Sequence, residues 1–141
     1  VMIIPGVDGR KMSKSYDNTI NLFADEKSLK KQIMKIVTDS LELEDPKDPS
    51  KCNVFNIYKL IANDDEIKRM ETNYMEGGFG YGHAKIALLE LILKKFSNER
   101  KIYFELMNDT EKIEFKLKEG SEKAKKIASS VLQRVKSKLG I

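Results

Sequence analysis

The sequence holds one cysteine and one histidine in 141 residues. A lone Cys52 can close no disulfide inside the chain and build no cysteine-based zinc site, so it reads as a packing residue. A lone His83 likewise excludes the His-rich ligand sets and Glu-x-x-His pairs of metal centres, and reads as a structural or helix-terminus residue. No metal held by protein ligands is expected. Long apolar runs are missing too: the longest, Ile86 to Leu93, is broken by Glu90, far short of the roughly 18 to 20 residues of a membrane span. Nothing has the charged, apolar and small-residue succession of a secretory leader, so a cytoplasmic location without membrane attachment is expected. The opening Val1-Met2-Ile3-Ile4 gives no sign of a natural start, and the chain is expected to be a fragment.

What is present is charge and helical periodicity. Apolar residues make up 40% of the chain, enough for the core of one ordinary domain. The net charge of +4 is unevenly spread, for between Gly120 and Ile141 six basic residues face Glu122 alone. Such a stretch suits a polyanionic partner or a solvated helix face.

Val1 to Ile4 is β-prone and apolar, as a buried strand end would be, and Pro5-Gly6 with Asp8-Gly9 supply the turn that stops it. From Asp25 to Val37 the pattern becomes helical, with Leu29, Ile33, Ile36 and Val37 on one stripe and the lysines largely off it. Glu44 to Pro49, with two prolines and three acids, reads as an exposed loop. Asn53 is placed to cap a helix carrying Val54, Ile57, Tyr58 and Ile61, and Asn63 or Asp64 to cap another carrying Ile67, Met70 and Tyr74.

A glycine cluster, Gly77 to Gly82, precedes a helix with a wide apolar face through Ala84, Ala87, Leu88, Leu91 and Ile92, expected to be the central one. Gly78-x-Gly80-x-Gly82 lacks the preceding strand and third spacing of a dinucleotide site. Helical spacing continues past Asn98 through Ile102, Tyr103 and Leu106. A segment with Ile113 and Leu117 is expected to end at Gly120, and Ser121 to start a last helix along Ile127, Val131, Val135 and Leu139. The fold class is mainly α: a helical bundle after a strand remnant.

One stretch carries chemistry by its order. Lys11-Met12-Ser13-Lys14-Ser15 places two ammonium groups, two hydroxyls and loop amides between strand and helix, a composition able to surround a polyphosphate and equally able to be a mobile basic loop. Letter for letter it is the signature loop of class I aminoacyl-tRNA synthetases. With "KMSKSYDNTI", "TDS" (Thr38 to Ser40), "NVFNIY" (Asn53 to Tyr58), "GYGHAK" (Gly80 to Lys85) and "EGSEKAKKIAS" (Glu119 to Ser129) in this order, the chain resembles the C-terminal portion of bacterial-type tryptophanyl-tRNA synthetases. "IIPGVDGR" departs from the family's usual Ser-Leu-x-Asp-Pro, and Ser121 stands where alanine is common.

The resemblance implies a division into three parts. Residues 1–20 would end a Rossmann-like, nucleotide-binding catalytic domain lying ahead of residue 1; 21–119 would form the helical anticodon-binding domain; and 120–141 would be a C-terminal helix packing back on the catalytic domain. It implies activation of tryptophan by ATP to an adenylate with release of pyrophosphate, then transfer to tRNA(Trp), by a homodimer joined through the absent domain. Lys14 and Lys11 would be catalytic, and Lys11, Met12, Ser13, Lys14 and Ser15 would bind ATP, with Met12 near adenine and Mg²⁺ held mainly by the phosphates. Lys94, Lys95, Arg100 and Lys101 would contact tRNA. Alone, the fragment would be inactive. An inactive synthetase-like RNA-binding module and a tyrosyl-tRNA synthetase fragment are the alternatives.

Overall fold

The computed structural model describes residues 3–141. Six α-helices account for most of them: α1 (Glu26–Met34), α2 (Asn53–Tyr58), α3 (Asp64–Glu76), α4 (Tyr81–Lys95), α5 (Ser97–Asn108) and α6 (Thr110–Leu139). Residues 3–100 form one compact unit and residues 101–141 a second. The mainly α expectation is met, and among the described residues no strand is longer than an isolated antiparallel bridge, Pro5 to Lys11. The strand read at Val1 to Ile4 lies partly outside the described residues. Of its remainder, Ile3 and Ile4 are exposed, because no sheet neighbour covers them.

In the first unit α4 packs against both α1 and α2, which makes it the central helix. Its Ala84, Leu88, Leu89, Leu91 and Ile92 are buried with Leu29 and Ile33 of α1, Val54, Phe55 and Ile57 of α2, and Met70 and Tyr74 of α3. Burial of such aliphatic side chains stabilises by about 1.5–3 kcal/mol each and is the main force holding these short helices, none long enough to persist alone. Tyr74 is fully buried. Its ring tilts against Phe55 and Phe79, both at 5.9 Å, and its hydroxyl meets the buried Cys52 Sγ at 3.2 Å.

The helix ends follow side-chain capping. Asp25 accepts from the Ser28 amide at the start of α1, and Asn63 forms a reciprocal capping box with Glu66 at the start of α3. Asn53 is not a cap, however. It is the first residue inside α2, whose N-cap is Cys52, and its amide instead donates to the Gly6 carbonyl at 2.8 Å. Val37 is 61% exposed, because α1 ends at Met34, with Lys35 as its C-cap, and the stripe no longer turns inward. Gly77, at φ +78, ends α3 where a Cβ would lie 2.3 Å from the Glu44 carbonyl oxygen.

The 44–49 loop also differs from expectation. Lys47 is 3% exposed, its ammonium donating to the carbonyls of Glu42 (2.8 Å), Leu43 (3.2 Å) and Asp45 (2.8 Å). A charge is buried here because its donors are satisfied by convergent backbone oxygens.

In the second unit α6 runs unbroken through Gly120, so the break expected there is absent. A glycine costs a helix interior about 1 kcal/mol, which good helix formers on either side outweigh, and Lys123 pairs with Glu119 across the position. Thirty residues make a rod about 45 Å long. It is capped by Asp109 at one end and by left-handed Gly140 at the other, and Ile127, Val131 and Val135 are exposed.

Candidate functional site

The signature loop hangs from a small hairpin. The Met12 amide donates to the Ile4 carbonyl at 2.8 Å and the Gly6 amide to the Arg10 carbonyl at 2.7 Å, while Gly9 turns the chain with its amide on the Gly6 carbonyl at φ +80, a conformation open to glycine. The hairpin is then tied to the helical unit: the Val37 amide donates to the Val7 carbonyl at 2.8 Å, and Asn53 holds Gly6.

Beyond Lys11 the chain winds into a single 3₁₀ turn, Lys14–Tyr16, with Ser13 as its N-cap. Ser13 Oγ accepts from the Ser15 amide at 3.3 Å, and the Asp17 amide donates to the Lys14 carbonyl at 3.2 Å. Asp17 is left-handed at φ 50, alone among the described non-glycine residues; an aspartate tolerates this conformation better than most. The turn leaves Lys11, Lys14 and Ser15 exposed and Ser13 half-buried. Neither the Lys11 nor the Lys14 ammonium meets a carboxylate among the described residues, so both charges face outward uncompensated. Arg10 is differently placed: its guanidinium pairs with Asp8 at 2.7 Å and lies 5.0 Å over the Tyr16 ring.

Asn18 holds this loop, and sequence reading assigned it no role. Its side chain is 1% exposed. Oδ1 accepts from the Ser13 amide at 2.8 Å, and Nδ2 donates to Asp8 Oδ1 at 2.7 Å and to the Lys11 carbonyl at 3.1 Å. The hydrogen bond from Asn18, followed by those from Arg10, holds the Asp8 carboxyl below its ordinary range. An asparagine three residues past the last signature serine is the only sequence trace of this hub, and its burial depends on Gly6, twelve residues earlier.

Two hollows adjoin the loop. Met12 lines an apolar one of about 290 Å³ with Ile4, Ile20, Leu22, Ile92 and Phe96, suited to a flat apolar surface. A polar one of about 280 Å³ gathers Asp8, Thr38, Asp39, Asn53 and Tyr81, bringing together residues of "TDS", "NVFNIY" and "GYGHAK". There Tyr81 Oη donates to Asp39 Oδ1 at 2.6 Å. Burial first, and the anionic acceptor second, push this phenol above its ordinary pKa.

The four basic residues expected at tRNA differ in placement. Arg100 is 8% exposed, and its guanidinium donates to the Leu22 carbonyl. Lys95 donates to the Ile61 carbonyl, Lys94 lies beside it at the Asn63 end of α3, and Lys101, in the second unit, pairs loosely with Glu105 at 3.9 Å. His83 sits in the first turn of α4 with its ring 5.6 Å from that of Phe79, a packing position. No helix among the described residues is long and apolar enough to cross a membrane.

Residues 1–97 match the family described as tRNA synthetases class I (W and Y). The chain is 47% identical over its whole length to the tryptophan–tRNA ligase of Campylobacter jejuni (strain RM1221), covering 44% of that protein. It is 46% identical over 139 residues to that of Fusobacterium nucleatum, covering 42%. A crystal structure of tryptophanyl-tRNA synthetase from Campylobacter jejuni complexed with ADP and tryptophan superimposes with a TM-score of 0.95 at 47% identity, over all of this chain and 44% of that one. The chain thus spans less than half the length of these relatives. With an exposed Lys-Met-Ser-Lys-Ser turn set on a helical unit of this shape, the chain belongs to the class I tRNA synthetases of the W and Y kind.

Proposed function

We propose that this chain supplies the ATP-phosphate loop and the tRNA-binding helices of a tryptophan–tRNA ligase, the remainder of which includes the tryptophan pocket and the main nucleotide fold. One observation carries the reading: Lys11 and Lys14 stand exposed, meeting no carboxylate among the described residues, on a turn held in place by Asn18, the Ser13 hydroxyl and the Ile4 carbonyl. Two point charges held ready on a fixed frame suit an anion arriving from outside.

In the proposed reaction the tryptophan carboxylate attacks the α-phosphate of ATP, and negative charge builds on the departing pyrophosphate. Lys14, with Lys11, stabilises that charge, while Ser13, Ser15 and loop amides orient the β- and γ-phosphates. Catalysis follows from meeting the transition state better than bound ATP. Met12 and the apolar hollow beside it offer a surface for adenine. The groups around the turn are ammonium, hydroxyl and amide, and Asp8 is already taken by Asn18 and Arg10, so no residue of this chain is assigned to Mg²⁺; the ion arrives bound to the phosphates, as suits one reluctant to shed water.

The tryptophan reading over the tyrosine one rests on the names of the relatives and on the "TDS" and "GYGHAK" residues that converge at the polar hollow. The exposed Ile127, Val131 and Val135 of α6 suit packing on the catalytic domain, and dimerisation through that domain and a cytoplasmic location complete the proposal. Lys94, Lys95 and Lys101 remain the accessible candidates for tRNA phosphates; their joint neutralisation should weaken tRNA binding and lower its salt slope by up to about 0.9 per lost contact.

The test is Lys14→Ala in the full-length enzyme. ATP–pyrophosphate exchange dependent on tryptophan should lose on the order of 100-fold or more in kcat, as when a single transition-state donor is removed. An unchanged kcat would end the assignment.

A further inference from the structure

We propose that Asn18 is the positioning residue of the signature loop: one buried carboxamide closes residues 11–18 into a ring and thereby fixes where Lys14 stands. The proposal rests on the reading of Lys14 given above. The Lys11 carbonyl and the Ser13 amide, at the start of the ring, both bind the side chain of Asn18, at its end. Lys14 lies between these ties, its own carbonyl held by the Asp17 amide. Among the described residues no other side chain bonds to both ends.

The orientation of the carboxamide is not arbitrary. Its partners are one donor, the Ser13 N–H, and two acceptors, the Lys11 carbonyl and the Asp8 carboxylate. Rotation by half a turn would set N–H against N–H and oxygen against two oxygens, so only one placement satisfies all three. Asp8 is itself held by Arg10, whose backbone amide donates at 3.0 Å and whose Nε donates at 2.7 Å. The Asn18 carbonyl accepts from the Val7 amide at 2.9 Å, and Gly6 lies so close that an added Cβ would be 2.4 Å from Asn18 Cγ. The hub is thus fixed from the hairpin side, while the lysines it governs remain exposed.

A buried side chain of this kind can act on stability alone or on the reacting geometry through Lys14, and a double-mutant cycle separates the two. In the full-length enzyme Asn18→Ala should lower kcat for ATP–pyrophosphate exchange by on the order of 10- to 100-fold, the cost of displacing a charge by about 1 Å, with the KM for tryptophan unchanged. In a Lys14→Ala background the same substitution should cost less than about 3-fold, because the group it positions is gone. Equal losses in both backgrounds would overturn the proposal.

Asn18→Asp guards against a failure to fold. It retains the acceptor for Ser13, loses the donor to Lys11 and sets a second carboxylate against Asp8, so it should slow exchange similarly. Adding Asp8→Asn supplies a donor and should restore part of the rate; no recovery counts against the network. Lys14→Ala with full activity removes the underlying reading, whereas a slow Lys14→Ala beside wild-type Asn18→Ala and Asn18→Asp removes this inference alone.

Discussion

Lys47→Met should destabilise the first unit by about 2–3 kcal/mol. The native ammonium makes three hydrogen bonds to carbonyls and lies 5.5 Å over the Tyr81 ring. A charged hydrogen bond contributes about 1.5–3 kcal/mol net and a desolvated cation–π contact about 2 kcal/mol, but the sum is not the answer. The Glu42 and Leu43 residues are exposed, so their carbonyls recover water once the ammonium is gone, and burying methionine spares the desolvation of a charge. Only the Asp45 carbonyl, on a half-buried residue, stays partly dry. The Lys47 amide keeps its hydrogen bond to the Tyr74 carbonyl, which confines the damage to residues 41–48. Urea unfolding of the chain should show a lower midpoint with an unchanged slope, and hydrogen exchange should quicken in residues 41–48 first. A loss below about 0.5 kcal/mol would mean that the carbonyl cage contributes nothing net to stability and that the loop is held by Pro49 and Gly77 instead.

Gly6→Ala should cost about 1–3 kcal/mol by overpacking and should slow exchange in the full-length enzyme, since the new methyl displaces Asn18; wild-type stability and rate together would contradict the close approach. Gly120→Ala should stabilise α6 by up to about 1 kcal/mol, because a Cβ there meets nothing within 4 Å; circular dichroism that falls instead would argue for a break in the helix. Asp8 has its pKa lowered from 3.8, so its contribution is complete above that value and is lost as pH falls through the lower folded value. Asp8→Asn should therefore remove part of the acid sensitivity of the loop, read as exchange of the Ser13 and Met12 amides as the pH falls below 3.8; identical profiles for both proteins would refute this.

Much of the fold was legible because burial repeats with the helix. Leu29 and Ile33, or Ala84, Leu88 and Ile92, recur at four-residue steps, and all five are buried. The signature residues were legible by order alone. Three features were not, each for a reason that a linear pattern cannot hold. Lys47 is buried by carbonyls that converge only when the loop folds. Asn53 serves Gly6, 47 residues away, rather than its own helix. Gly120 has the residue type of a terminator but flanks able to carry the helix through it. Asn18 combines these cases, since the cavity that buries it is made by a missing Cβ elsewhere in the chain.

The two ties at the base of the hairpin have a mechanical consequence. Val7 hangs from Val37 just after α1, and Gly6 hangs from Asn53 at the first residue of α2, so the platform under the lysines is suspended from two separate helices like a shelf on two brackets. A tilt of either helix tips the shelf, and a load that presses on the shelf is felt by both.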